Sequence, residues 1–190
     1  MGINTYEVMY IQARDNYPYN VDECIEKLQY VIAADDEHAG AHCLMGRIYE
    51  EQLEDYKQAE YYYRMTLYLN REHLPVYYQY ANMLILRNRL DEALVIINAG
   101  LKVPGADVAR LAYLQGLLYE RYEMFSTAIS YYKDAQRLCL DTSYLNAMDS
   151  HIKRVKAKIA LNKNRRKRKT KKKKFPDEKA AIVRLFNFKG

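Results

Sequence analysis

Small and bulky apolar residues recur along the chain at a spacing close to 35 residues. The first column of small residues comprises Gly46, Ala81 and Gly116. Three residues after each of these comes a bulky one, Tyr49, Leu84 or Tyr119. A second column of small residues comprises Ala59, Ala93 and Ala128. Three further columns keep a fixed distance from this second column. Three residues before it stand Tyr56, Leu90 and Phe125. Four residues after it stand Tyr63, Ile97 and Tyr132, and seven residues after it stand Thr66, Gly100 and Ala135. Columns in register over three units indicate an internal repeat.

Each unit of this repeat predicts a pair of helices. Residues three and four apart share one helix face, so each group of columns marks the buried face of one helix. Small side chains let two helices approach closely, and a single hairpin cannot bury its apolar face alone, so the units must stack. The low counts of Gly (7) and Pro (4) agree with long helices. We therefore predict an all-α solenoid built from antiparallel helix pairs.

The repeat sets the predicted boundaries within residues 1–161. Three complete units and one degenerate unit at the N-terminal end are predicted over residues 39–72, 74–107, 109–141 and about 4–37. The degenerate unit is recognised from apolar residues one period before the second-helix columns, namely Val21, Cys24, Leu28 and Val31. A capping helix over 142–161 is predicted from apolar residues at spacings of three and four: Leu145, Met148, Ile152, Val155 and Ile159.

The period and the columns resemble the tetratricopeptide repeat (TPR), most strongly over residues 39–141. The chain departs from the family because it contains no Trp and carries His42, Tyr77 and Ala112 at the early aromatic position. The resemblance implies a scaffold for protein–protein interaction. It also implies that a protein or peptide partner binds in a concave groove lined by the first helix of each pair. It does not identify that partner, because TPR arrays bind unrelated proteins.

The resemblance places twelve residues in the groove: Arg47, Glu50, Glu51, Tyr78, Asn82, Ile85, Leu86, Arg110, Tyr113, Leu117, Glu120 and Arg121. The middle of the groove is expected to be apolar and aromatic, with charged residues at its ends. Such a surface would suit an amphipathic helix or an extended apolar segment. The alternative is that a neighbouring helix covers Ile85 and Leu86. The Lys/Arg/Asn clamp with which some family members hold a terminal carboxylate is not reproduced.

Tyrosine is unusually abundant, with 20 residues against 4 phenylalanines. In a two-layer solenoid a tyrosine can bury its ring and keep its hydroxyl in water. The alternative, a surface that stacks nucleobases, needs basic residues around the rings. Residues 1–149 contain 13 basic and 22 acidic residues, a net charge of −9. We therefore expect the tyrosines of the helical domain to serve in packing.

Few residues suggest metal or catalytic chemistry. His38, His42 and Cys43 have the spacing of metal ligands on a helix, but His42 falls on the aromatic packing column and no carboxylate completes a site. The 3 cysteines are odd in number and widely separated, which argues against a disulfide framework and favours the cytoplasm. No membrane span, signal peptide, phosphate-binding loop or nucleophile motif is recognisable. We expect no metal, no cofactor and no enzymatic activity.

The charge reverses in the last part of the chain. Ten basic residues occur in the polybasic linker, residues 162–174: Lys163, Arg165, Arg166, Lys167, Arg168, Lys169, Lys171, Lys172, Lys173 and Lys174. Side chains of this kind bind phosphates without reading bases, so RNA, DNA or a nucleoprotein particle is the predicted partner. The alternatives are a solubilising tail that docks on the acidic domain, a nuclear-import signal, or, less favoured, an anionic membrane surface.

Residues 175–190 form a predicted docking segment. Its apolar residues have helical spacing and are Ile182, Leu185, Phe186 and Phe188. The sequence leaves open whether this segment docks on its own chain or on another protein.

Taken together, these features favour a cytoplasmic protein-interaction scaffold or adaptor that a polybasic tail tethers to nucleic acid or a nucleoprotein particle. The alternative is a structural subunit of a large assembly, such as a ribosome-bound or virion-like particle, in which the tail orders only in place. Neither the identity of the partner nor the oligomeric state follows from the sequence.

Overall fold

A computed structural model describes residues 5–139 and 141–174, with side chains as far as residue 163. Over these residues the chain forms nine α-helices and no strand. In chain order they are α1 (Thr5–Asn16), α2 (Val21–Ala34), α3 (Ala39–Glu51), α4 (Tyr56–Leu69), α5 (Leu74–Leu86), α6 (Leu90–Gly100), α7 (Val108–Arg121), α8 (Phe125–Leu138) and α9 (Thr142–Lys174). None of these nine helices combines the length and the apolar character needed to cross a membrane.

Consecutive helices pack as hairpins, α1 with α2, α3 with α4, α5 with α6 and α7 with α8. Turns of three or four residues join the helices of each hairpin, and such short turns place them antiparallel. In three turns a residue other than glycine adopts a positive φ: Glu54 (52°), Asn88 (60°) and Glu123 (59°). The following N–H bonds back to the preceding helix, as from Asp55 to the Tyr49 carbonyl at 2.9 Å, which ends that helix and reverses the chain. The predicted all-α solenoid of helix pairs is confirmed.

Glycines on first helices allow tyrosines of second helices to pack directly against the backbone. A Cβ atom at Gly46 would lie 2.7 Å from the Tyr63 ring, and one at Gly116 would lie 2.5 Å from the Tyr132 ring. Both tyrosines are fully buried, with 0% of their surface exposed. In the middle hairpin, Ala81 is buried at the corresponding position. The first column of small residues therefore marks the close approach of the two helices in each pair.

Helix α9 spans both the predicted capping helix and the predicted polybasic linker without a break. Its first part packs on the last hairpin through Met148, Ile152 and Val155, which share an apolar cluster with Tyr132. Lys163 is exposed. The side chains of the other predicted polyanion-binding residues lie outside the described residues, and so does the whole predicted docking segment, 175–190.

Replacing Gly116 with alanine should destabilise the protein, although alanine normally favours a helix over glycine by about 1 kcal/mol. The added methyl group would overlap the Tyr132 ring, and overpacking of this kind costs roughly 1–3 kcal/mol. Urea unfolding followed by circular dichroism would measure the loss. The control is Lys133→Ala, at an exposed site of α8, which should change the free energy of unfolding by less than about 0.5 kcal/mol. Equal stability of Gly116→Ala and the parent would refute a tight contact.

Candidate partner-binding groove

A cavity of about 340 Å³ lies across the first helices of three successive pairs, α3, α5 and α7. Its lining side chains are Arg47, Glu50, Glu51, Tyr78, Gln79, Asn82, Arg110, Tyr113 and Leu114. We call this cavity the α3–α5–α7 groove. Gln79 and Leu114 were not assigned to the groove from the sequence, although these residues stand one period apart in the same column as Leu44. The groove is more polar than expected, because the Gln79 amide lines it beside the predicted Asn82, whereas the apolar side chains of Ile85 and Leu86 do not line it.

Five predicted groove residues lie outside this cavity. Three of them line a second cavity together with two side chains of α9: Leu117, Glu120, Arg121, Arg154 and Lys158. The prediction that Ile85 faces the groove is wrong, because Ile85 is 1% exposed and packs in the apolar core of the middle pair. Leu86, the last residue of α5, is 58% exposed and lines neither cavity.

The start of α7 organises one end of the groove. Asp107 caps α7 by accepting a hydrogen bond from the Arg110 backbone N–H at 2.9 Å. The backbone N–H of Asp107 donates to the Tyr78 hydroxyl at 2.8 Å. The Arg110 guanidinium lies over the Tyr78 ring, 4.8 Å from its centroid, which is an attractive cation–π geometry. These contacts hold Tyr78 and Arg110 together and leave the Arg110 side chain exposed.

Glutamates of α3 form the other end of the groove. The buried Tyr63 hydroxyl donates to a Glu50 carboxylate oxygen at 2.6 Å. Burial raises the pKa of Glu50 to about 7, because removal from water disfavours its charged form more than the hydrogen bond from Tyr63 stabilises it. The neighbouring Glu51 accepts hydrogen bonds from Arg47 Nε at 3.0 Å and from the Tyr17 hydroxyl at 2.5 Å.

The third repeat carries the same tyrosine–glutamate pair with added cations. Tyr132 donates to Glu120 at 2.8 Å, and Glu120 is only 7% exposed. Arg154 of α9 reaches the two carboxylate oxygens at 3.1 and 2.6 Å, and Lys158 reaches one of them at 2.7 Å. Burial alone would raise the pKa of Glu120, but the hydrogen bonds from Arg154, Lys158 and Tyr132 outweigh it and lower the pKa to about 2. Glu120 is therefore ionised and holds α9 on the last repeat.

Other buried tyrosines also bond protein acceptors, whereas their hydroxyls were expected to reach water. Tyr77 donates to the Arg71 carbonyl at 2.7 Å. Tyr80 donates to the Glu60 carboxylate at 3.0 Å. These hydroxyls reduce the cost of burying the rings and fix each ring relative to a specific acceptor.

The residues with metal-like spacing have structural partners. His38 caps α3, since its Nδ1 accepts a hydrogen bond from the Ala41 N–H at 3.0 Å. His42 Nε2 donates to the Asp36 carbonyl at 2.8 Å. The Cys43 thiol donates to Gln79 at 3.0 Å. Across the part of the chain that the structure describes, no group of three or more His, Cys, Asp or Glu residues is arranged to hold a metal ion.

No protein-family model matches the chain, and no curated protein matches its sequence. Several solved structures are similar. PilF of Pseudomonas aeruginosa matches with a TM-score of 0.71 and 16% identity over 82% of this chain and 69% of that chain. A thermophilic TPR protein of Thermus thermophilus matches with a TM-score of 0.66 and 18% identity over 77% and 81% of the two chains. The type IV pilus biogenesis factor PilW matches with a TM-score of 0.65 and 15% identity over 84% and 80%.

These similarities show that the chain has the fold of the TPR proteins, and they confirm the resemblance drawn from the repeat columns. With identities of 15–18% they establish the fold alone. The function must therefore be argued from the groove and its side chains.

Replacing Glu120 with glutamine should destabilise the protein at pH 7 by about 1–3 kcal/mol, because Arg154 and Lys158 lose their charged acceptor. The folded-state pKa of about 2 lies below the ordinary value of 4.5. The stabilisation by Glu120 is thus complete above the ordinary pKa and is lost as the pH falls toward 2. Thermal melting of the variant and the parent should converge over that window.

The matched control is Glu26→Gln, at an exposed position of α2. It removes the same charge without removing a hydrogen-bonded carboxylate, so its melting temperature should stay close to that of the parent at every pH. A gap between Glu120→Gln and the parent that remains constant at acidic pH would contradict the ion-pair assignment.

Proposed function

We propose that this protein is a non-enzymatic interaction scaffold whose α3–α5–α7 groove binds a protein or peptide partner. The observation that carries the proposal is a polar cavity shared by three repeats in which three polar side chains make no hydrogen bond within the described residues. These are the Asn82 amide, the Arg110 guanidinium and the Tyr113 hydroxyl. Such groups, placed beside the Tyr78 ring, suit the recognition of a polypeptide.

The similar structures support a scaffold in general terms. One is a TPR protein by its own description, and another is a type IV pilus biogenesis factor. Neither transfers a named partner to this chain. The groove instead carries acidic residues at its α3 end, Glu50 and Glu51, and a basic residue at its α7 end, Arg110. This arrangement favours a partner segment whose polar side chains differ in charge from one end to the other.

A second proposal concerns the polybasic linker, residues 162–174, which would tether the scaffold to RNA, DNA or a nucleoprotein particle. Ten of the twelve residues in 163–174 are Lys or Arg, against the net charge of −9 over residues 1–149. The backbone of α9 continues as a helix to Lys174, so the basic residues extend from the packed part of the same helix. A structural role in a large assembly remains the alternative, and it predicts tail binding only to the assembled particle.

Charge reversal at Arg110 or truncation at Asn82 should abolish capture of a groove partner without unfolding the protein. Both side chains lack hydrogen-bond partners within the described residues, and Arg110→Glu loses only an exposed cation–π contact worth about 0.5–1 kcal/mol, so the melting temperature should fall by no more than a few degrees. Affinity purification of the full chain followed by quantitative mass spectrometry would measure the loss. Because fewer than a third of interface residues contribute strongly, losses of tenfold or more identify the central ones.

Two controls make this result interpretable. Lys133→Glu reverses a charge on an exposed site of α8 and should retain the partner. Ile85→Asp places a charge in the core and should lower the melting temperature sharply, unlike the groove variants. Partner capture that survives both Arg110→Glu and Asn82→Ala would show that the groove is not the binding surface.

Binding of the tail to a polyanion should weaken steeply with salt, because its affinity would come from the release of counterions. With about five of the ten charges engaged, the log–log slope should be near −3.5 on single-stranded RNA and near −4.5 on duplex DNA. Fluorescence anisotropy over a salt series would measure the slope. Deleting residues 163–174 should remove this binding and leave groove binding intact. Nucleic-acid binding that ignores salt, or that survives the deletion, would exclude the tail as the contact.

A further inference from the structure

Glu50 and Glu120 occupy the same column of the repeat, two periods apart. Each follows a first-helix glycine by four residues, Gly46 or Gly116. Each carboxylate also accepts a hydrogen bond from a buried tyrosine of the second helix, at 2.6 Å for Glu50 and 2.8 Å for Glu120. The two sites are therefore the same structural unit, built twice by one chain.

The two carboxylates differ in their cationic partners. Glu120 bonds Arg154 and Lys158, which stand four residues apart on α9. Within the described residues no lysine or arginine bonds Glu50, because the nearest arginine of α3, Arg47, bonds Glu51 instead. Glu50 faces the α3–α5–α7 groove, whereas Glu120 is closed off by α9.

We infer that the α3–α5–α7 groove recognises a basic side chain of its partner, an arginine or a lysine, through Glu50. This inference rests on the proposed function and names the chemistry of the partner segment. The third repeat shows that a glutamate in this setting accepts basic side chains from another helix. In the groove, the partly buried ring of Tyr113 would lie beside the incoming cation, and aromatic rings attract cations.

An acidic partner is the competing assignment, because Arg47 and Arg110 also line the groove. Arg47 is already paired with Glu51 and lies over the Tyr17 ring, 4.7 Å from its centroid. Of these two arginines, Arg110 is the one without a carboxylate partner within the described residues. A carboxylate placed near Glu50 and Glu51 would be repelled, so the α3 end of the groove favours a cation.

Binding of a basic side chain at Glu50 should depend on pH. The pKa of Glu50, about 7, reflects its burial, and a bound cation would favour the ionised form and lower that pKa. Affinity for a basic side chain should therefore rise with pH, by about tenfold between pH 6 and pH 8 as the ionised fraction of Glu50 grows. The charged or titratable groups that surround Glu50 in this groove or bond its neighbours are Arg47, Glu51, Tyr17, Tyr63, Tyr78, Tyr113 and Arg110.

A randomised 12-residue peptide library, selected on the immobilised full chain and counterselected on the Asn82→Ala variant, would test the inference. The counterselection discards peptides that bind the basic tail or other surfaces. We expect the selected peptides to share a lysine or arginine. Replacing that residue by a neutral analogue, citrulline for arginine or norleucine for lysine, should reduce affinity at least tenfold at pH 8.

Glu50→Gln keeps a hydrogen-bond acceptor for Tyr63 but removes the charge, so it should fold like the parent and lose both the affinity and its pH dependence. Glu26→Gln, at an exposed site of α2, should retain both. Groove-dependent peptides that are acidic or uncharged, or that bind Glu50→Gln equally well, would overturn the inference and leave the proposed function standing. Failure to select any peptide whose capture depends on Asn82 would instead count against the groove function itself, and with it the inference.

Discussion

The close contact between a first-helix glycine and a second-helix tyrosine governs both the packing and the chemistry of this solenoid. At Gly46 and Gly116 the absence of a side chain lets the Tyr63 and Tyr132 rings lie where a Cβ atom would stand. Their hydroxyls then reach glutamates one helical turn further along the first helix. The close packing of the two helices thus places an ionisable carboxyl group against the hydroxyl of a buried tyrosine. The environment of that carboxyl then decides whether it is a structural ion pair or a recognition group.

The middle repeat shows that this polar unit is not needed for the fold. Ala81, Ile97 and Ile85 take the places of the glycine, tyrosine and glutamate, and all three are buried. The hairpin keeps its geometry because an apolar set fills the same space. As a result, among the three complete repeats the carboxylates of this column stand on α3 and α7. Because α9 closes off the one on α7, the open groove keeps Glu50 alone as a half-buried acid.

Periodicity was sufficient to predict the helix pairs, because packing columns recur wherever identical hairpins stack. It could not predict how deeply each residue of a column is buried. Ile85 shares its column with Glu50 and Glu120, and charged neighbours in a column suggest a surface position. Glu120 is itself buried, and it is balanced by cations 34 and 38 residues further along the chain. Such compensation depends on where α9 packs, which the repeat pattern does not contain. The polar middle of the groove was predicted only in part: Asn82 was assigned to it, whereas Gln79, which stands in a column otherwise filled by leucines, was not.

The Glu120 cluster also bears on the division between an acidic domain and a basic tail. Arg154 and Lys158 belong to the same helix as the polybasic linker, yet their charges are taken up by a carboxylate of the last repeat. The cations of α9 therefore fall into two groups along one helix. The nearer group pairs with Glu120 and holds the first half of α9 on the last repeat. The farther group, from Lys163 onward, follows Ile159, which is packed against the apolar cluster of the last hairpin. Because α9 runs without a break from the first group to the second, the ion pairs at Glu120 help to set the direction in which the basic residues leave the solenoid. Under the proposed function, a partner bound to the tail would thus be placed relative to the groove by the same ion pairs that attach α9 to the last repeat.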